Sequence, residues 1–343
     1  MPGRTTRHSI EPGHTQILGK GDLTLGDLCL VTGGAGFIGS NLVHALLRQG
    51  MRVRVFDNLS TGRLVNLEDL IGDVDFVEGD IRDLGAIGAA TQGASVVFHE
   101  AAIPSVARSV TDPLSSNDVN VTGTLNVLLA ARDASVQRVV FASSSSVYGN
   151  QETLPVHEGL LPIPLSPYGV TKLAGERYMR SFFEVYALPT VSLRYFNVYG
   201  PRQDPRAEYA AVVPKFILSA LEAEPMTIFG DGEQTRDFTY VGDVVQANLM
   251  AADSTPDAWG GVFNTAVGDR HSVNQLAQAV LGSVALPSAE PVYEPARTGD
   301  VRESHADVSA GLRVLGFSPE YRFEDGIART VAWFGDQRDL GLL

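Results

Sequence analysis

The sequence contains one cysteine, Cys29, among its 343 residues. A single thiol rules out an internal disulfide and suits a reducing compartment, so we expect a cytoplasmic protein. The sequence also lacks any apolar run long enough to span a bilayer. Residues 1–26 contain no hydrophobic stretch of the kind that a secretory signal needs. We therefore predict no membrane partner, and we interpret residues 1–26 as a loose, polar N-terminal extension.

Positive charge is scarce as well. The chain has 26 lysines and arginines against 40 aspartates and glutamates, and its net charge of −14 argues against nucleic acid as a partner. An acidic protein that binds an anionic ligand must concentrate positive charge locally, so single basic residues are informative. Only three lysines occur, Lys20, Lys172 and Lys215. No metal site is predicted, and the length allows one large α/β unit or two lobes.

A glycine-rich stretch follows the first apolar run. Residues 28–31 predict a buried strand, and the chain then turns through closely spaced glycines into a helical pattern at residues 41–48. A strand, a glycine-rich turn and a helix together can hold a dinucleotide pyrophosphate, because the backbone approaches the phosphates and the helix N–H groups face them. The spacing is G-x-x-G-x-x-G, which also occurs in simple tight connections. The predicted cofactor contacts here are Gly33, Gly36, Phe37, Ile38 and Gly39.

An acidic residue closes the next predicted strand. Residues 51–56 alternate in polarity and end at Asp57. A carboxylate there can bond the adenosine ribose hydroxyls and would repel a 2′-phosphate, which favours NAD over NADP; the alternative is a helix-capping aspartate. A turn-rich loop follows, and a third strand at residues 75–80 ends near the same edge. The further cofactor contacts predicted from this region are Asn58, Ser60, Thr61, Gly62, Asp80 and Ile81.

The pattern of strands and helices continues through residue 142. A strand at residues 95–99 is followed by Ala101 and Ala102, whose small side chains allow a flat cofactor to approach. We interpret His99 as a packed or capping residue more readily than as a catalytic base. A helix is predicted at residues 120–132 and a strand at residues 138–142. Alternation of this kind predicts an α/β fold with a parallel, doubly wound (Rossmann) sheet.

Candidate chemistry lies around Tyr168 and Lys172. These residues are four apart and share one helical face, in a segment that leads into a predicted helix at residues 173–186. A free tyrosine has a pKa of about 10, and a nearby ammonium or an oxidised nicotinamide ring favours the phenolate. Tyr168 is therefore a candidate general base toward a sugar hydroxyl. Ser144, at the end of the preceding strand, is the candidate that bonds the same hydroxyl and relays its proton.

Several motifs in order make the chain resemble a known family. They are G-x-x-G-x-x-G at residues 33–39, Asp57-Asn58, Asp80-Ile81, H-x-A-A at 99–102, N-V-x-G-T at 120–124, S-S-S-x-V-Y-G at 143–149 and Y-x-x-x-K at 168–172. From about residue 28 onward the chain resembles the extended short-chain dehydrogenase/reductase family, in its nucleotide-sugar epimerase/dehydratase branch. The resemblance implies an NAD-binding Rossmann domain at residues 27–195. It also implies a smaller mixed α/β lobe for the UDP-sugar, mainly at residues 196–343, with segments returning to the first domain.

The resemblance also separates the reactions of this branch. Dehydratases carry an Asp-Glu pair where this chain has Ser145-Ser146, and the glutamate typical of UDP-glucuronate decarboxylases is absent too. The 4-epimerase pattern remains. It implies that Tyr168 takes the proton of the sugar 4-OH while C4 gives hydride to NAD, and that a 4-keto sugar turns over before hydride returns to its other face. Lys172 would also hold the nicotinamide ribose, and Tyr168, Asn120 and Phe196 complete the implied cofactor contacts.

Substrate contacts are likewise implied by the resemblance. Ser304 stands where epimerases limited to the plain hexose have a tyrosine, and its small side chain leaves room for an acetamido group. We therefore expect UDP-GlcNAc/UDP-GalNAc to be accepted alongside UDP-Glc/UDP-Gal. Arg236 and Arg297 would bind phosphate, and Asp300 the uridine ribose. The full implied set is Ser143, Ser144, Ser145, Asn197, Val213, Arg236, Arg297, Asp300 and Ser304.

Three alternatives remain open at this point. UDP-glucuronate 4-epimerases resemble the same stretch but tend to have threonine where Asn197 stands, which disfavours a uronic acid. A protein that binds NAD without turnover would not need Ser144, Tyr168 and Lys172 together. A nucleotide-sugar reductase would release its reduced or oxidised cofactor. The resemblance further implies a homodimer that pairs the helices at residues 120–132 and 173–186.

Overall fold

The structure of the chain is a computed structural model that describes residues 24–207, 210–284, 290–296 and 302–342. Its strands are β1 (Leu28–Thr32), β2 (Arg52–Asp57), β3 (Val74–Glu78), β4 (Val96–His99), β5 (Arg138–Ser144), β6 (Thr190–Tyr195), β7 (Val198–Tyr199), β8 (Thr227–Phe229), β9 (Thr235–Arg236), β10 (Thr239–Tyr240), β11 (Gly261–Thr265), β12 (His271–Ser272) and β13 (Val292–Glu294). Within these described ranges, one sheet contains seven parallel strands in the order β3-β2-β1-β4-β5-β6-β11. The predicted parallel, doubly wound sheet is confirmed.

The helices are α1 (Phe37–Arg48), α2 (Leu84–Thr91), α3 (Val106–Thr111), α4 (Pro113–Asn117), α5 (Thr124–Asp133), α6 (Pro167–Tyr186), α7 (Val212–Leu221), α8 (Val241–Ala252), α9 (Val273–Ser283), α10 (Ser309–Leu315) and α11 (Phe323–Asp339). Three helical segments begin before their predicted start, and the first is α1, which starts at Phe37 and not at residue 41. α6 begins at Pro167 because Ser166 caps it and proline suits the first helical position. α4 continues through a π-helical stretch, Asp118–Gly123, into α5.

The two faces of the sheet form separate cores because side chains alternate along each strand. Val31 and Val55 face the core that α1 and α8 cover, while Leu30 and Phe56 face the core of α2, α5 and α6. All four side chains are buried. A third core lies in the C-terminal half of the chain, among α7, α9 and α11.

The topology places one edge of the sheet where a ligand can bind. All its strands run in the same direction, so their carboxyl ends meet at one edge. The chain reverses its strand order between β1 and β4, and doubly wound folds bind their ligands at such a switch point. Two further observations concern only the described part of the chain: no helix there is long and apolar enough to cross a membrane, and no group of three or more His, Cys, Asp or Glu side chains is placed to hold a metal ion.

Candidate functional site

The turn between β1 and α1 is closely packed and depends on glycine. Gly33 has φ +69°, and a Cβ there would lie 2.7 Å from the backbone Cα of Ala101, just after β4. A Cβ on Gly39 would lie 2.2 Å from the Gly33 carbonyl oxygen. Gly36 is the N-cap of α1 and provides no side-chain cap, so the helix N-terminus at Phe37 and Ile38 keeps its backbone donors for another acceptor. This cradle suits a pyrophosphate.

Asp57 joins the end of β2 to this turn. Its Oδ2 accepts from Ala35 N at 3.0 Å and its Oδ1 from Leu59 N at 2.8 Å, and burial raises the pKa of the carboxyl above its ordinary value. Gly62 brings the following loop back over the carboxylate, since a Cβ there would lie 2.8 Å from both oxygens. Each oxygen retains a lone pair for a ribose hydroxyl.

The loop beyond Asp57 reaches the end of β3. Asn58 donates to Asp80 Oδ2 at 2.8 Å and accepts from Ser60 N at 3.1 Å. The side-chain hydrogen bonds of Arg82 hold the pKa of Asp80 well below its usual range. Thr61 is exposed beside Ser60, whereas Ile81 is buried against the backbone of the π-helical stretch. The residues predicted to contact the adenosine therefore lie together at the ends of β2 and β3, and the carboxylate of Asp80 among them is ionised.

Two polar residues near β4 bond to protein groups. Asn120 accepts from Ile103 N at 2.8 Å and donates to Thr171 Oγ1 at 3.1 Å, which ties the loop after β4 to α6. His99 lies between the hydroxyls of Thr32 and Thr124, and burial lowers its pKa to about 3. The interpretation of His99 as a packed residue is confirmed. The structure gives Asn120 a positioning role in addition to any contact with a cofactor.

Ser144, Tyr168 and Lys172 come together at the start of α6. The Tyr168 backbone N–H donates to Ser109 Oγ at 3.0 Å, and its phenol hydrogen-bonds Ser144 at the end of β5. Lys172 Nζ lies 5.9 Å from the centroid of the Tyr168 ring and donates to the Ala142 carbonyl at 2.8 Å. The predicted shared face is thus present, and it points to the strand edge.

Burial shifts the pKa values of both Tyr168 and Lys172. Burial raises the pKa of Tyr168 to about 12, although the hydrogen bond from Ser144 opposes the rise. Burial also lowers the pKa of Lys172 to about 8. Without a bound ligand, the loss of solvent around the phenol therefore outweighs the hydrogen bond from Ser144 that favours the phenolate. A further positive charge, such as an oxidised nicotinamide ring, is needed.

Sequence reasoning missed Glu100, which occupies the variable position of the H-x-A-A motif. Its Oε1 accepts from the Tyr195 hydroxyl at 2.7 Å, and that hydroxyl accepts from Asn248 Nδ2 at 2.7 Å. Tyr195 is paired with Ser144 in the β5–β6 register. Burial raises the pKa of Glu100 to about 7, against the opposing hydrogen bond of Tyr195 and the charge of Lys172. The one signal in the sequence was a carboxylate at the end of a buried strand.

The predicted substrate contacts Ser143 and Ser145 and the predicted cofactor contact Phe196 lie at the ends of β5 and β6 and differ in burial. Ser143 is buried and donates to Glu176 Oε1 at 2.6 Å, so its hydroxyl proton is engaged within the protein. Ser145 is half-buried and begins a short 3-10 turn beside Ser144. Phe196 is buried, with its ring centroid 6.1 Å from that of Tyr148.

The remaining predicted contacts belong to the C-terminal lobe. Asn197 has φ +35° and donates to the Asp237 carbonyl at 3.0 Å. Val213 is 2% exposed in the lobe core, so it packs there instead of presenting a surface. Arg236 is half-buried on β9, and Ser304 N donates to the carbonyl of the neighbouring Thr235 at 3.1 Å. Two predicted contacts, Arg297 and Asp300, lie outside the described residues.

Residues 29–266 match the model of the NAD dependent epimerase/dehydratase family. The chain is 42% identical to a UDP-glucose 4-epimerase of Mycolicibacterium smegmatis over 89% of this chain and 97% of the relative. It is 40% identical to a putative UDP-glucose 4-epimerase of Methanocaldococcus jannaschii, over 89% and 98%. A UDP-glucuronate 4-epimerase of Thermodesulfobacterium geofontis is 34% identical over 91% and 97%.

Solved structures give the same picture. The UDP-N-acetylglucosamine 4-epimerase of Methanobrevibacter ruminantium, in complex with UDP-N-acetylmuramic acid, has a TM-score of 0.87 at 38% identity, over 92% of this chain and 100% of that one. The UDP-glucose 4-epimerase of Thermotoga maritima with UDP-glucose has a TM-score of 0.86 at 40% identity, over 91% and 99%. The Thermus thermophilus UDP-glucose 4-epimerase with NAD has a TM-score of 0.81 at 38% identity, over 90% and 98%.

Proposed function

Because the chain belongs to the NAD dependent epimerase/dehydratase family, we propose that it is an NAD-dependent isomerase that inverts C4 of UDP-linked hexoses. The cluster of Ser144, Tyr168 and Lys172 beside the glycine turn carries the proposal, since it joins a proton-transfer group to a dinucleotide cradle. The named 4-epimerases that this chain resembles support it.

The residues around the turn fit NAD. Because Gly33 and Gly39 have no Cβ, the turn leaves room for the pyrophosphate to approach the backbone. The carboxylate of Asp57 can bind ribose hydroxyls but would repel a 2′-phosphate. NAD supplies, when bound, a site that accepts a hydride and gives it back in the same turnover. The residues that would hold it are Gly33, Gly36, Phe37, Ile38, Gly39, Asp57, Asn58, Ser60, Thr61, Gly62, Asp80, Ile81, Ala101, Ala102, Asn120, Tyr168, Lys172 and Phe196.

The chain's own residues manage the proton of the sugar 4-OH. Ser144 Oγ hydrogen-bonds that hydroxyl and orients it toward the phenol. Tyr168 Oη takes the proton as the C4–O bond becomes a carbonyl, and returns it when the carbonyl is reduced. The ammonium of Lys172 lies on the same helical face and favours the phenolate during this exchange. Their largely buried positions limit the access of water to the ketone.

The size of residue 304 supports a broad substrate range. The backbone N–H of Ser304 donates to the carbonyl of Thr235, the residue before Arg236, which supports a position of Ser304 near the proposed substrate contacts. We expect Ser304→Tyr to remove activity on UDP-GalNAc and to spare UDP-Gal, whereas Ser304→Ala keeps both. Equal survival of both activities in the tyrosine variant would contradict the size argument.

One assay across substrates tests the function. Purified protein is offered UDP-Gal, UDP-GalNAc and UDP-GlcA in turn, and products are separated while absorbance at about 340 nm follows free reduced cofactor. We expect UDP-Glc and UDP-GlcNAc to form without accumulation of reduced NAD. Accumulation of reduced cofactor would indicate a reductase. Turnover of UDP-GlcA alone would indicate a uronate epimerase, and no turnover of any substrate would indicate a binding protein.

The assembly is proposed to be a homodimer. Val185 and Tyr186 near the end of α6 are exposed, and α5 carries Leu125 and Leu129, which pack against the core but are only half-buried; these apolar side chains are suited to a second copy of the chain. Sedimentation should give twice the chain mass, and Val185→Asp should give the single mass. A wild-type protein of single mass would refute the pairing.

The compartment is proposed to be the cytoplasm. Cys29 is buried and takes part in no disulfide, and a chain without disulfides suits a reducing compartment. Cell fractionation tests the proposal, and recovery of the protein outside the cytoplasm would overturn it.

A further inference from the structure

Asp237 is a buried carboxylate that the proposed reaction does not use, and it lies between β9 and β10, directly after Arg236. Its Oδ1 accepts from Val267 N at 2.9 Å, and its Oδ2 accepts from Gly268 N at 3.1 Å. Oδ2 also accepts from Ala306 N at 3.3 Å. Val267 and Gly268 belong to the loop after β11. One carboxylate therefore joins the end of β9 to two backbone segments that are distant along the chain.

The second of these segments contains Ser304 and pairs with a neighbour on each side. We call residues 302–307 the Ser304 segment. On one side, Ser304 N donates to the Thr235 carbonyl at 3.1 Å. On the other side, the segment forms a parallel bridge to Val156. The bond to the buried carboxylate repeats the first pairing two residues further along both stretches of chain, so it extends the contact between β9 and the Ser304 segment.

Three of the predicted substrate contacts meet at Asp237. Arg236 precedes it in the chain, and Asn197 Nδ2 donates to its backbone carbonyl at 3.0 Å. Ser304 lies two residues before the Ala306 N–H that its carboxylate binds. None of these partners is a predicted NAD contact or a candidate catalytic group. Asp237 therefore determines how three parts of the predicted substrate side lie relative to one another.

We propose that Asp237 is a positioning residue, whose carboxylate holds the Ser304 segment beside Arg236 so that the substrate side is formed before a UDP-sugar binds. The proposal rests on the proposed function for the identity of that ligand. An ionised carboxylate only accepts hydrogen bonds, so it suits three N–H donors. Without it, the ligand must order the segment as it binds. The apparent affinity then falls with the fraction of the protein that is already ordered.

Asp237→Asn tests the proposal with almost no change in side-chain volume. Asparagine offers one oxygen and one NH₂ group, so at least one of the three backbone N–H groups then faces a donor. We expect the dissociation constant of UDP, measured by titration calorimetry on the holoprotein, to rise about five- to tenfold, as for one lost hydrogen bond. KM for UDP-Gal should rise by the same factor, while kcat stays within about threefold and NAD retention is unchanged.

Hydrogen exchange followed by mass spectrometry tests the positioning without substrate or turnover. Peptides that cover the loop after β11 and the Ser304 segment should take up deuterium faster in Asp237→Asn, and those that cover β1 and α1 should not change. The matched control is Asp307→Asn, which makes the same chemical change within the Ser304 segment. The Asp307 carboxylate accepts from Ser309 N at 2.8 Å, at the start of α10. This variant should leave deuterium uptake and the UDP dissociation constant unchanged.

A second variant decides the proposal if Asp237→Asn does not fold. His305 Nε2 donates to the Gly268 carbonyl at 3.2 Å, so it joins the Ser304 segment to the same loop. His305→Ala should raise the UDP dissociation constant by about twofold or more. An unchanged constant in His305→Ala would then overturn the proposal.

The remaining outcomes separate this proposal from the proposed function. Faster exchange in Asp237→Asn with an unchanged UDP dissociation constant would show a purely structural residue and overturn the proposal, as would a loss of kcat with KM unchanged. If wild-type protein binds UDP but epimerises no sugar, calorimetry and exchange still decide the role of Asp237, and the proposed function alone fails. If wild-type protein epimerises UDP-Gal and Asp237→Asn changes neither exchange nor affinity, the proposal alone fails. Wild-type protein that binds no UDP would overturn both.

Discussion

Replacing Glu176 by alanine should destabilise the protein by about 3–5 kcal/mol, because it would leave a buried guanidinium unpaired. Glu176 and Arg194 have side chains 1% and 3% exposed. Arg194 donates through Nε at 2.8 Å and Nη2 at 2.7 Å to the two carboxylate oxygens, and Ser143 donates at 2.6 Å. This pair connects β5, β6 and α6, which together carry Ser144, Tyr168 and Lys172.

Urea unfolding, followed by far-UV circular dichroism, measures the loss. The matched control is Glu184→Ala on the same helix, which breaks the exposed ion pair with Arg180 and should cost less than about 1 kcal/mol. The double variant Glu176→Met/Arg194→Met should recover much of the loss, because apolar side chains replace both buried charges. Equal losses of unfolding free energy in Glu176→Ala and Glu184→Ala would refute the reasoning. So would a double variant whose loss equals the sum of the losses in Glu176→Met and Arg194→Met measured separately.

Two other perturbations test the cofactor cradle and the buried histidine. Gly39→Ala should abolish retention of NAD, measured after denaturation, because its Cβ would lie 2.2 Å from the Gly33 carbonyl oxygen. Gly88→Ala has nothing within 4 Å of its Cβ and should retain NAD. His99 is held neutral with a pKa of about 3, below the ordinary 6.5, so its stabilisation is present above pH 6.5 and is lost as the pH falls toward 3. His99→Gln should therefore narrow the difference between urea midpoints at about pH 7 and about pH 4.5.

The predicted part of the fold is the part that local patterns specify. Apolar runs located β1 and β4, alternating polarity located β2, and the alternation of strands with helices indicated their parallel pairing. β11 was not predicted, because Gly261–Thr265 mixes polar and apolar residues and joins the sheet only through β6. The start of α6 was predicted too late, because Ser166 and Pro167 do not belong to the repeating pattern of apolar residues from which the helix was predicted.

The residues of the candidate site that could be predicted are likewise those specified by local sequence patterns. Ser144, Tyr168 and Lys172 were predicted from spacing along the chain, and the structure brings them together. Glu100 and Tyr195 were missed because their hydrogen bond joins positions 95 residues apart. The hydrogen bond of Ser143 to Glu176 on α6 could not be predicted, because it joins positions 33 residues apart. The pKa of Tyr168 depends on burial, which no motif reports.

The central claim, that the Tyr168 phenol transfers the sugar proton, is tested most directly by Tyr168→Phe. The rate of UDP-Gal conversion is compared with wild type at matched NAD content, with circular dichroism and NAD retention as controls on folding and cofactor binding. We predict a loss of about 10²–10⁴-fold, the usual contribution of a general acid–base group. Conversion within about threefold of the wild-type rate, far outside that range, would contradict the account.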